Sequence, residues 1–155
     1  MHTDVPFPLF REKVQASFDR QGLMKTLGGR LTMIEAGSVE IELPYSDLIT
    51  RQHGYFHAAA IAAIADTAGG YAALTLMDAN EEVVAAEFKI NLLRPALGAR
   101  IVATANVIRA GRTLVISEAV VSAAIENQLV RVAMTLQTNC RVRTQVNTRG
   151  AANFL

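Results

Sequence analysis

Cysteine is almost missing from this chain of 155 residues. The single copy, Cys140, excludes an intrachain disulfide and any cysteine metal cluster, and it fits a reducing compartment. An excess of either charge is missing too: the net charge is +1, which leaves no electrostatic footprint for nucleic acid. The opening MHTDVPFPLF lacks a basic stretch followed by a long apolar run, so no secretory signal is expected and the cytoplasm is the expected location. No internal repeat or low-complexity segment stands out. Charged residues make up only 19% of the chain and hydrophobic ones 51%, more apolar material than one small core needs, which points to a subunit interface. The length suits one domain, taken as residues 1–155.

Proline is absent from 58 to 77, where AAAIAAIADTAGGYAALTLM reads as one helix of roughly 30 Å. It is apolar on every side, as in a helix wrapped by other structure. Asp66 at its middle and the Gly69-Gly70 pair argue against a membrane span. A carboxylate on such a helix is costly unless paired, hydrogen-bonded or neutralised, so Asp66 has either a structural or a chemical reason to be there.

Before this run, residues 7–21 space Phe7, Phe10, Val14 and Phe18 as an amphipathic helix. Gly22, Gly28 and Gly29 read as breaks. Two strands, Arg30–Glu35 and Val39–Pro44, form a hairpin around Ala36-Gly37-Ser38. An irregular loop, Tyr45–Phe56, leads to the helix. After it come four strand-like runs: Val83–Leu93, Ile101–Arg109, Thr113–Ala124 and Gln128–Cys140. Short turns between them predict an antiparallel meander, and their length predicts a curled sheet. The tail, 141–155, reads as loosely packed. Only the 58–77 helix can cover the apolar face of such a sheet, so an α+β fold with a curved sheet around one central helix is expected.

The start of that helix presents unpaired N–H groups and a partial positive charge. Near His57, Ala58 and Ala59 these amides suit a carbonyl oxygen that turns into an oxyanion during acyl transfer. Asp66 suits a general base or a nucleophile toward the same carbonyl. Yet Ala58 and Asp66 lie about 12 Å apart along one helix. Two antiparallel copies across a twofold axis remove the conflict, which predicts a homodimer with shared sites.

The run HGYFHAAAIAAIADTAGG (53–70) resembles the signature of PaaI-type hotdog-fold thioesterases, in the 4-hydroxybenzoyl-CoA thioesterase-like superfamily. EFKINLLRPA (87–96) and NVIRAGRTL (106–114) resemble the strand and hairpin that follow in that family. The resemblance implies hydrolysis of acyl-CoA thioesters by dimers that often pair into tetramers, with no cofactor. It makes Asp66 the catalytic acid and the Ala58 N–H the oxyanion donor. Fifteen positions before the acid, where the family has Asn or Gln, stands Arg51, with Gln52 beside it as the alternative water-positioning residue. The usual Ser or Thr on the next strand is replaced by Ala85. Gly54 and Ala59 fall at positions that flank the bound thioester, Asn91 is a candidate for the pantetheine channel, and Arg109 and Arg112 are candidates for the CoA phosphates.

Each assignment has a plainer counterpart. His57 reads as a capping or loop-packing histidine more readily than as a catalytic base. His53 belongs to the loop, and the histidines and Asp66 fit no compact zinc spacing, so no metal is expected. Arg109 and Arg112 are equally solvated hairpin charges, and Asn91 equally an exposed strand residue. The Arg51 and Ala85 departures leave a non-catalytic acyl-CoA-binding or sensor protein on the same scaffold as the alternative.

Overall fold

The structure is a computed structural model and describes residues 5–143. Helices α1 (Phe10–Phe18) and α2 (Gly22–Leu27) come first, then strands β1 (Arg30–Glu35) and β2 (Ser38–Pro44). A single 3-10 turn, Asp47–Ile49, precedes the long helix α3 (Ala58–Leu74). Strands β3 (Glu81–Leu92), β4 (Arg100–Ala110), β5 (Leu114–Ile125) and β6 (Gln128–Arg143) complete the chain. All six strands form one antiparallel sheet, curved around α3, and this is the expected α+β hotdog architecture. No helix among the described residues is long and apolar enough to cross a membrane.

The order across the sheet, β1-β2-β4-β5-β6-β3, corrects the expected four-strand meander. Only β4, β5 and β6 run as neighbours in sequence, and β3 lies at the far edge, paired with β6. The link from β3 to β4 is a crossover rather than a turn. Its backbone crosses the ends of β6 and β5, where Leu93 N–H donates to the Val132 carbonyl (2.8 Å) and Ala99 N–H to the Ala124 carbonyl (3.2 Å). Pro95 and Gly98, the latter at φ 123°, shape that path.

Other boundaries shift for local reasons. The expected helix over 7–21 shortens to Phe10–Phe18, and α2 is an additional short helix that starts at Gly22, expected as a break, and stops at Gly28, whose left-handed φ of 79° terminates it. Helix α3 ends at Leu74, short of Met77. The next two amides, Leu76 and Met77, bond back only three residues, and Thr75 turns its hydroxyl to the Ala72 carbonyl (2.6 Å) while accepting from Gly37 N–H (2.7 Å). The end of α3 is thereby tied to the β1–β2 turn. Of the expected loose tail, Arg141–Arg143 complete β6, and 144–155 lie outside the described residues.

Core residues Ile41, Leu43, Ile101 and Val121 from the strands meet Ile64 and Leu74 of α3 and Met77 just beyond it, all fully buried. One side of α3 escapes this burial: Ala62, Ala63, Asp66 and Gly70 are only half-buried and follow one another at helical spacing.

A candidate active site divided along one helix

The first part of the site is the N-terminus of α3. Thr50 bridges to Phe56, Arg51 N–H donates to the Tyr55 carbonyl (2.8 Å), and Gly54 N–H donates to the Arg51 carbonyl (2.9 Å). This is a tight hairpin with Gly54 at φ 74°, the left-handed position that such a turn requires. The turn fixes the register. Arg51 sits at its base and lines a cleft with Ala58, while Gln52 sits at the tip, exposed and outside the cleft. A one-residue slip that would exchange the two breaks the Thr50–Phe56 bridge. Gly54 shapes the turn and lines no part of the cleft.

His57 caps the helix. Its Nδ1 accepts the Ala59 N–H at 3.0 Å, so the Ala59 amide is spent internally. The Ala60 and Ile61 amides both reach the His57 carbonyl, at 3.0 and 3.2 Å. Among the described residues, Ala58 has the one amide of this first turn without a partner. The cleft it faces, about 330 Å³, is lined by apolar Phe56, Ile61, Leu92 and Leu93 and by three basic side chains, Arg51, His53 and Arg94. Arg94 falls just past the strand-like run Val83–Leu93, where the sequence marks no site residue.

The second part lies midway along α3. Asp66 opens onto a smaller cleft, about 130 Å³, lined also by Gln21, Thr67, Tyr71, Ala85, Gln137 and Asn139. Gln137 Nε2 donates to Asp66 Oδ1 at 2.7 Å. Burial raises the Asp66 pKa above the ordinary carboxylate range, and the Gln137 hydrogen bond opposes that rise. The floor is polar: Ser117, Thr135, Gln137 and Asn139 are all buried, and Asn139 Nδ2 donates to Ser117 Oγ at 3.0 Å. Gln137 was not picked out from the sequence.

The two clefts share no lining residue. Within one chain, Ala58 and Asp66 therefore do not converge on a single carbonyl. Three other candidates lie outside both clefts. Arg109 and Arg112 are exposed at the β4–β5 hairpin, close to the C-terminal end of α3: Arg141 joins the Gly111 carbonyl to the Leu76 carbonyl, both at 2.9 Å. Asn91 is exposed and pairs with Met134. A bulge at Ala86 puts Phe88, Ile90 and Leu92 on the helix side of β3, so alternation leaves Glu87, Lys89 and Asn91 on the other face.

A curved antiparallel sheet around one helix with an acid at its midpoint defines a hotdog-type protein. Residues 53–130 match the thioesterase superfamily model, and the chain belongs to that superfamily as a thioester hydrolase. A candidate esterase of Saccharolobus solfataricus is 34% identical over 96 residues, 62% of this chain and 68% of its own length. A thioesterase family protein from Silicibacter pomeroyi is 37% identical, covers 86% of this chain and 98% of its own, and superposes with a TM-score of 0.85. The Escherichia coli PaaI protein, from the phenylacetic acid degradation operon, shares the fold at 21% identity with a TM-score of 0.77, covering 86% of this chain and 93% of its own. A Bacillus halodurans protein solved with CoA shares it at 22% and 0.72, covering 88% and 90%.

Proposed function

We propose that the protein is a cytoplasmic acyl-CoA thioesterase whose reaction centre is assembled from two subunits. In this reading the thioester carbonyl accepts a hydrogen bond from Ala58 N–H of one subunit. Asp66 of the other then takes a proton from an attacking water, or attacks the carbonyl carbon directly. Negative charge gathers on the carbonyl oxygen, where the helix N-terminus stabilises it. Collapse of that intermediate breaks the C–S bond and releases CoA as the thiolate. In the direct route a second step, attack of water on the mixed anhydride, regenerates Asp66.

The observation that carries this reading is the unpartnered Ala58 amide beside neighbours whose amides are all engaged. The basic lining of its cleft suits the CoA phosphates, with Arg51 and Arg94 nearest in kind. The CoA bound to the Bacillus halodurans neighbour supports the same ligand class.

The free edge of β3 supports the dimer. The strand has 12 residues, with exposed Phe88 and Leu92 on its helix side. A long bare edge with apolar side chains invites pairing with another strand. Pairing two β3 edges about a twofold axis sets the α3 helices antiparallel, with their half-buried Ala62, Ala63 and Asp66 side facing the partner. On the outer face, exposed Val84, Leu114 and Leu136 offer a second contact for a dimer of dimers.

A thiol-release assay with short, medium and aromatic acyl-CoAs, run beside Asp66→Asn, tests the proposal. Release by the native protein and none above background by the variant is the expected result. Unchanged release by Asp66→Asn rejects the assignment, and tight acyl-CoA binding without release returns the chain to a sensor role.

A further inference from the structure

We propose that Gln137, on the last strand, is the positioning residue for the Asp66 carboxylate, taking the place of a hydroxyl on β3. The inference rests on the thioesterase reading and says how its acid is held. Among the described residues, Gln137 is the one hydrogen-bond donor to that carboxylate, at 2.7 Å. Ala85, on β3 in the same cleft, has no side-chain donor.

The support is rigid. Gln137 is 1% exposed and sits within β6, between Ser117 of β5 and Phe88 of β3. Against an ionised Asp66 its amide takes one orientation, which leaves the buried Oε1 without a hydrogen-bond partner. An ionised carboxylate accepts and cannot donate, so the NH₂ group must face Asp66 and Oε1 must point away. Oε1 then occupies the space beside Gly69, where an added Cβ would lie only 2.1 Å from it. The glycine in α3 and the glutamine in β6 are therefore one device: the helix lacks a side chain where the amide passes beneath it. Gln137 engages Oδ1 and leaves Oδ2 for water or the thioester.

The surroundings make the effect readable by pH. Tyr71 is the one other titratable group lining the cleft; burial raises its pKa, and its hydroxyl lies 3.3 Å from Ser17 Oγ. Beneath, β5 and β6 offer neutral Ser117, Gln137 and Asn139; β3 offers Val83 and Ala85; and Gln21 closes the side. Without the Gln137 bond, Asp66 is protonated more easily and its carboxylate is no longer aimed.

The experiment measures kcat and KM for acyl-CoA hydrolysis from about pH 5 to 9 in the native protein, Asp66→Asn, Gln137→Met and Gln137→Glu. Met keeps the length and burial of the side chain without the donor. Glu keeps its shape and sets a second carboxyl against the first, so either variant that folds to the native oligomer size suffices. Both should move the acid limb of kcat to higher pH. Gln137→Met should lose about tenfold in kcat near pH 6, the scale of a lost bond to a charged group, with KM within about twofold. An unmoved acid limb in a folded variant, or a loss carried by KM, overturns the proposal. If the native protein releases no thiol, the thioesterase reading falls and this one with it; if Asp66→Asn keeps its rate, the catalytic role of Asp66 falls and the positioning role with it. If Asp66→Asn is dead and the Gln137 variants keep the native profile, only the positioning role falls.

Discussion

The beginning and the middle of α3 are built on opposite plans. The beginning is open and basic, and the group proposed to act there is a backbone amide, which no side-chain substitution other than proline removes. The middle is narrow and acidic, and Asp66, the group proposed to act there, rests against a buried polar floor in β5 and β6. In the proposed reaction one end donates to developing negative charge, and the other carries negative charge before reaction begins. Keeping them about 12 Å apart prevents the Asp66 carboxylate from occupying the anion site of its own helix. In the proposed reaction, that separation is what calls for a second subunit.

The largest effect should come from the middle. Asp66→Asn removes the base or nucleophile and is expected to lower kcat by about 10²- to 10⁴-fold, read by thiol release. Next is the amide. His57 has ψ 140°, an extended conformation suited to a following proline, and the first helical position tolerates proline. Ala58→Pro therefore deletes the N–H with the helix retained, and should lower kcat by about 10²- to 10³-fold. Mixing the two inactive variants sharpens the comparison. If the two halves come from different subunits, each heterodimer has one intact site, and random exchange restores about a quarter of native activity. No recovery after subunit exchange, verified by mass, would mean that each chain supplies both halves.

How far the sequence revealed these two regions follows from the kind of signal each leaves. The helix, its acid and its exposed start were legible, because an apolar run without proline and a lone carboxylate are local patterns. The hairpin of β1 and β2 was local as well. The floor was not. In the run from Thr135 to Cys140, alternation places Leu136 inward and Gln137 outward by the usual rule, yet Leu136 is 52% exposed and Gln137 is 1% exposed. The rule inverts because this part of the sheet faces a carboxylate across a glycine. The neighbour that sets the register, Gly69, is remote in sequence. The position of β3 was hidden for a similar reason: a crossover and a turn of comparable length look alike until their backbone hydrogen bonds are known. Arg94 belongs to that crossover, and only the crossover's path brings it to the Ala58 cleft.

Arg94 offers a smaller test of the open end. Its guanidinium is solvent-exposed, so its contribution to binding is modest and salt-dependent. Arg94→Ala should raise KM for acyl-CoA about threefold to tenfold at low ionic strength, with kcat unchanged. A thioester of N-acetylcysteamine, which lacks the phosphates, should show no such change. Equal losses with both substrates would move Arg94 from phosphate recognition to the shape of the crossover.

The smallest effect returns to the middle, and it concerns stability. Burial holds the folded-state pKa of Asp66 above its unfolded value, so between those two values the folded protein retains a proton that the unfolded chain has released. Stability then falls as pH rises through that window, and above it the full cost of a half-buried charge remains. Asparagine can still accept from Gln137 and carries no charge. Asp66→Asn should therefore melt a few degrees higher than the native protein at neutral pH, and the gap should close as pH falls toward the ordinary aspartate value of about 4. A gap that stays constant with pH would mean that the variant stabilises through packing. A gap of opposite sign would mean that contacts across the subunit interface hold the carboxylate better than its own chain does.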